Sequence, residues 1–205
     1  MEAPSVSHDI NGIDPVSLRA LLASPVIADD IHEPGVGRGL RDAAVLVPLV
    51  VREPGLHVLL TQRTDHLHHH PGQISFPGGR VEDGDASDVE TALRETEEEI
   101  GLDRRHIEIV GRLPRYHTVT GFAISPVVGV VTPPFDLALD AFEVAEVFEV
   151  PLPFLLDPGN REQHAIEYAG VVREYFAMPW QGRFIWGATA GMLVSLADML
   201  ARAGK

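Results

Sequence analysis

Ser87-Asp88-Val89-Glu90-Thr91-Ala92-Leu93-Arg94-Glu95-Thr96-Glu97-Glu98-Glu99-Ile100-Gly101 is the stretch from which the rest of the chain is read. Ser87 with Glu90 three residues on is a capping box, and Gly101 stands where a left-handed residue ends a helix. The spacing therefore predicts a helix of about three and a half turns. At about 100° per residue, with Glu95 at zero, Glu99 falls roughly 40° to one side and Glu98 roughly 60° to the other. Glu90 and Glu97 fall on the opposite face. Val89, Leu93 and Ile100 form an apolar stripe beside the Glu95/Glu98/Glu99 face, which places that face at the edge of the core. Like charges at i,i+3 and i,i+4 destabilise a helix by about 0.2–0.5 kcal/mol per pair, so the arrangement needs a compensating group. A hard cation such as Mg²⁺ supplies one, because it takes carboxylate oxygens and keeps positions open for substrate phosphate. An ion pair from Arg94 offsets part of the repulsion without any metal.

Outward from this helix, the segment Arg80 to Glu99 carries nine acids and two bases, −7 of the net −14 of the 205-residue chain. Such a field repels nucleic-acid phosphate and anionic lipid, so neither is expected as a partner. The longest apolar run, Ala43 to Val51, has nine residues and contains Pro48, short of the ~20 that span a bilayer. Met1-Glu2-Ala3-Pro4 opens no signal peptide. With no cysteine there is neither a disulfide nor a thiolate metal site, and a cytoplasmic location is expected. The 45% hydrophobic content supports a real core.

Residues 1–36 read as an extension with a short helix from Asp14-Pro15 through Leu18, Leu21 and Leu22, followed by a loop over 25–37; residues 37–205 read as the main domain. Strands are expected at Ala43–Val51 and His57–Gln62, joined as a hairpin through Glu53-Pro54-Gly55, and at Ile107–Leu113, Phe122–Val131, Ala145–Val150 and Val171–Ala177. A last helix runs from about Gly187 to Arg202. Strands around one strong central helix, with another at the end, give an α/β layered fold. The run His68-His69-His70 is expected on an exposed loop, because three adjacent side chains of a regular element cannot all face one ion.

Before the helix, Phe76-Pro77-Gly78-Gly79 makes a turn whose glycines permit close backbone approach. Gly79, five residues, Asp85, eight residues, then Arg94-Glu95-Thr96-Glu97-Glu98-Glu99-Ile100-Gly101-Leu102 resembles the Nudix box. Its second half matches at every charged and glycine position; Asp85 replaces a glutamate, one extra residue precedes Arg94, and Thr96 replaces an aliphatic residue. Leu59-Leu60-Thr61-Gln62-Arg63, then Gly72, then Phe76-Pro77-Gly78-Gly79 is similar to the signature of the coenzyme A pyrophosphatase branch of that family, with Thr64 in place of Ser or Ala and His68 in place of Arg.

The resemblance implies a Nudix-type α/β/α sandwich with a mixed β-sheet and a metal-dependent coenzyme A diphosphatase that releases 3',5'-ADP and 4'-phosphopantetheine. The alternatives are another nucleoside-diphosphate-X hydrolase, such as one acting on ADP-ribose, and a noncatalytic nucleotide-binding regulator. Glu95 and Glu99 are the first choice as ligands for Mg²⁺ or Mn²⁺, and Glu98 is the third ligand or the group that orients water. Arg94 orients a glutamate through an ion pair. Arg63, His68, Gly78 and Gly79 are placed at the substrate, with Arg112 and Arg115 as further phosphate candidates. Read as a strand residue, Glu146 shares a face with Val144, Phe148 and Val150, where desolvation suits it to a general base, while Glu143 and Glu149 face the other way; the alternative is a partly exposed edge strand of alternating charge. The partner is a small nucleotide, and a homodimer is compatible with this reading.

Overall fold

The computed structural model describes residues 15–23, 29–67, 70–168 and 171–203. In chain order the helix α1 (Pro15–Ala23) and strands β1 (Ile31–His32), β2 (Arg41–Val51), β3 (Leu56–Arg63), β4 (Ile74–Ser75) and β5 (Gly78–Arg80) lead to α2 (Asp88–Ile100). Then come β6 (Ile107–Arg112), β7 (Tyr116–His117), β8 (Phe122–Val131), β9 (Val144–Pro151) and α3 (Leu152–Leu156). The strands β10 (Glu162–Tyr168), β11 (Val171–Trp180) and β12 (Arg183–Trp186) precede α4 (Ala188–Ala203).

The sheet is built around β2. Along one side β2 runs parallel to β8 from Arg41 to Val50. Along its other side it changes partner, pairing antiparallel with β5 at Ala43–Val45 and with β3 at Leu49–Val51. Pro48 lies in the interval between those two partners, which suits a residue with no N–H to donate. That changeover makes room for the Phe76-Pro77 turn, whose Pro77 carbonyl accepts from Leu46 N at 2.9 Å. β3 pairs antiparallel with β9, and β6 with β8. The backbone N–H of Arg63 donates to Gln73 O at 3.0 Å, closing the base of the excursion between β3 and β4.

Alternation along these strands sorts side chains to two faces. Ala44, Leu46 and Val127 pack on Ala92 of α2, and Val50, Leu59 and Val131 pack with Ile100 and Leu102. On the reverse face Val47, Leu49, Val58 and Leu60 meet Leu18 and Leu22 of α1, Leu155 of α3 and Leu193 and Leu196 of α4. Helices on both faces of a mixed sheet make the α/β/α sandwich that the sequence implied, and α1 shares its main core.

The expected long strands and the last helix are present within a few residues of their expected ends. Ile31–His32, expected in a loop, pairs parallel with Tyr116–His117. The three-stranded antiparallel sheet β10-β11-β12 is larger than the single strand expected there, and α3 was not expected. No helix among the described residues is long and apolar enough to cross a membrane.

Candidate active site

α2 is bounded as its caps require: Ser87 Oγ accepts from Glu90 N at 3.3 Å, and Gly101 closes the helix at φ 67°, its N–H donating to Glu97 O. The Glu90 side chain does not complete the capping box. It joins Glu97 on Arg104, at 2.9 and 2.7 Å. That ion-pair group offsets one of the two charges on the back of the helix, while the front carries Glu95, Glu98 and Glu99 against Arg94.

On the front, Glu99 is buried. Its Oε2 accepts from Gly78 N at 3.1 Å, and its Oε1 lies 3.8 Å from Arg63 Nη1. Burial pushes its carboxyl up to about 8, against the pull of Gly78 and Arg63. Glu95 is half-buried against Gly79 and is likewise pushed up, chiefly by desolvation and further by the charges of Glu98 and Glu143. The approach is close: a Cβ built on Gly79 stands 2.5 Å from each Glu95 carboxylate oxygen.

Arg94 organises the exposed side of this face. It donates to Glu95 Oε1 at 3.0 Å, to Glu98 Oε2 at 2.9 Å and to the Arg80 carbonyl at 3.1 Å. Asp85 holds the guanidinium in a two-point bridge, with Nε to Oδ1 and Nη2 to Oδ2 both at 3.0 Å. Arg94, with Glu82 N and Thr91 Oγ1 also donating, keeps the Asp85 carboxyl well below the usual range. The shorter acid at this position thus serves as the anchor of Arg94. Thr96 is accommodated by donating its hydroxyl to Ala92 O at 2.6 Å inside the helix.

The acid that joins the front face from outside α2 is Glu143, which lies 3.9 Å from Arg63 Nη2 and whose charge raises both Glu95 and Glu99. Thr64 positions it: the Thr64 hydroxyl donates to Phe142 O at 2.7 Å and Thr64 N donates to Glu143 O at 3.0 Å. The desolvation expected of Glu146 does not occur, because its side chain is 44% exposed and paired with Arg183. Arg112 and Arg115 are engaged by Asp88 and Asp42. His68 lies outside the described residues.

Among the described residues no three acidic or imidazole groups converge closely enough to enclose an ion. Glu95 and Glu99, with Glu143 nearby, instead offer a partial, oxygen-only set in which three carboxylates face two arginines, Arg94 on Glu95 and Arg63 between Glu99 and Glu143. This fits Mg²⁺ or Mn²⁺, which retain waters and phosphate oxygens in the remaining positions. The proton competes with such an ion for Glu99. A raised carboxyl contributes stability that is fully present below its ordinary value of 4.5 and is lost as pH rises through about 8. Metal-free melting temperature should therefore fall across that interval for this group, and added Mg²⁺ should raise it more at pH 8.5 than at pH 6. Calorimetric melts at the two pH values, with and without Mg²⁺, read this directly; an equal Mg²⁺ shift at both contradicts it.

Comparison with known proteins places this chain in a wider group. The NUDIX domain matches residues 40–165. The chain is 40% identical over 192 residues to the uncharacterized Nudix hydrolase NudL of Enterobacter sp. (strain 638), covering 93% of this chain and 95% of that protein. To NudL of Escherichia coli (strain K12) it is 43% identical over 158 residues, 77% of this chain and 81% of the relative. Among solved structures, the MutT/nudix family protein from Enterococcus faecalis aligns with a TM-score of 0.51 at 16% identity, over 81% of this chain and 64% of that one.

Proposed function

Because the chain belongs to the Nudix hydrolase family, we propose that the diphosphate it cleaves is that of coenzyme A or its thioesters, giving 3',5'-ADP and 4'-phosphopantetheine. The observation that carries this reading is the position of the Leu59–Arg63 and Phe76–Gly79 stretches. They lie on β3 and at the β4–β5 turn, and they bring Arg63 and Gly78 N onto Glu99. The residues that resemble the coenzyme A signature are thus the ones that meet the metal-binding carboxylate.

In this mechanism Glu95 and Glu99 would hold Mg²⁺ or Mn²⁺, which would supply charge neutralisation for the diphosphate and lower the pKa of the attacking water. Arg63 offers its guanidinium to the phosphate that reaches Glu99. Gly79 leaves the space that the Glu95 carboxylate occupies, and Gly78 gives its N–H to Glu99. Arg94 fixes Glu95 and Glu98 in one orientation, and Glu98 on the exposed side aligns the attacking water. Glu143, in the place first assigned to Glu146, receives the proton of that water as the oxygen attacks one phosphorus and the bridging oxygen leaves with the other.

Incubation with coenzyme A and, separately, ADP-ribose in Mg²⁺ or Mn²⁺ and ¹⁸O-water, with mass spectrometry of the products, tests the reading. Coenzyme A should be cleaved at least tenfold faster, with label in only one product. Cleavage of ADP-ribose alone moves the substrate to the other nucleotide, and tight nucleotide binding without cleavage in either metal points to a regulator.

A further inference from the structure

Arg41, Arg80 and Phe122 meet on the sheet face turned away from α2. The guanidinium carbon of Arg41 is 4.3 Å from the centroid of the Phe122 ring, and that of Arg80 is 5.6 Å from the same centroid. Sheet register explains the meeting: Arg41 is opposite Phe122 across β2 and β8, while Ala43, two residues on, is opposite Arg80 of β5. Residues two apart in a strand share a face. The neighbouring Ala44, opposite Gly79, packs on α2 and marks the other face.

These two arginines differ from most of the others described. Arg52, Arg94, Arg104, Arg115 and Arg183 are all bridged to carboxylates. Neither Arg41 nor Arg80 has a carboxylate within 4.0 Å among the described residues, although the chain carries a net charge of −14. Both are exposed. A guanidinium laid against an aromatic ring keeps its in-plane N–H groups free to donate, and its fork matches a phosphate. Arg80 follows directly on Gly79 in the short strand β5, where Gly79 abuts the Glu95 carboxylate on the α2 side and the Arg80 side chain takes the other face.

We infer that Arg41 and Arg80, stacked on Phe122, form a subsite for a phosphomonoester on the ribose of the nucleotide whose diphosphate lies at Glu95 and Glu99. Two adjacent positive charges match the dianion of a terminal phosphate better than the monoanion of a diester. The subsite rests on the nucleoside-diphosphate reading of the Glu95/Glu99 site and adds to it the feature that separates a 3'-phosphorylated nucleotide from ADP-ribose. In this arrangement Arg63 serves the bond that is cleaved, and Arg41 and Arg80 serve a phosphate that is not.

The test is titration calorimetry of the full-length protein with adenosine 3',5'-bisphosphate and with AMP in 50 mM salt. The wild type should bind the bisphosphate at least tenfold more tightly. Arg41→Gln and Arg80→Gln should each cut that ratio several-fold, and the double variant should bring it close to one. Raising salt to 0.5 M should narrow the wild-type ratio, because both arginines are exposed to screening. A wild-type ratio near one overturns the subsite, as does an unchanged ratio in a double variant whose melting temperature matches wild type. Hydrolysis of coenzyme A with an unchanged ratio refutes this subsite alone. No hydrolysis with a ratio that collapses in the double variant refutes the coenzyme A reading and leaves the subsite in place.

Discussion

Replacing Glu99 with glutamine should lower turnover in Mg²⁺ about a thousandfold, a loss of ~4 kcal/mol in transition-state stabilisation, while making the metal-free protein more stable. Both effects come from one carboxylate. Glu99 is buried, accepts from Gly78 N and has only a distant arginine opposite it. It is therefore well placed to hold a cation and costly to keep ionised without one. Glutamine retains an acceptor oxygen for Gly78 N but carries no charge to desolvate. The gain should grow with pH, because the native carboxyl titrates near 8, reaching on the order of 1–3 kcal/mol at pH 9. Paired measurements of kcat and of melting temperature in chelator check it. A variant that is both as active as wild type and no more stable at pH 9 removes Glu99 from the site.

Gly79→Ala should cost at least a hundredfold in activity with little loss of stability. Gly79 has no left-handed backbone for alanine to avoid. The added Cβ nevertheless stands 2.5 Å from both Glu95 carboxylate oxygens, so the carboxylate must swing away. Its flexible side chain can do so cheaply, and the cost falls on ligand geometry, where a displacement of about 1 Å can cost 10²-fold. Gly78→Ala is the contrasting case. There φ is 153° and the new Cβ lies 2.6 Å from Val45 Cα and hard against the Ala44 carbonyl, so backbone must move and the fold itself should weaken. Unfolding by urea alongside turnover separates the two glycines: Gly79→Ala should keep its midpoint and Gly78→Ala should lose it.

The parts of the chain that sequence made legible are those whose signals are local. Ser87 and Gly101 bound α2 because capping is decided within a turn of the helix, and Phe122–Val131 reads as a strand because it is nearly all apolar and bounded by turn residues. The pairing of Arg94 with Glu98 followed from i,i+4 spacing. What stayed hidden depends on partners distant in sequence. Glu143 was set aside by strand alternation, yet it lies in the turn before β9, where alternation does not apply, and the register irregularity between Gln62 and Arg63 turns Arg63 toward it. Glu146 keeps the face of Phe148 and Val150 but not that of Val144, which crosses to the α2 side at the register irregularity, and it meets Arg183 from β12, a strand whose own pattern is too short to announce itself. β10 escaped notice because Glu162, Gln163, His164 and Glu167 dilute its apolar residues. Asp85, in sequence only a shorter acid in place of a glutamate, proves in space to be the anchor of Arg94.

The hydrogen bond from Arg63 N to Gln73 O has a further consequence for how such a protein can change over evolutionary time. It ties off the excursion between β3 and β4 at its neck, with Thr61–Ser75 and Gln62–Ile74 paired just inside. Residues inserted beyond Thr64, whose own bonds hold Glu143, pay only the slow logarithmic cost of a longer loop, about 0.6 kcal/mol for each doubling, and leave the pairing at Arg63 in place. The histidine-bearing excursion is thus an exchangeable cassette: its length and composition can drift toward new leaving groups while the hydrolytic apparatus at its neck is inherited unaltered.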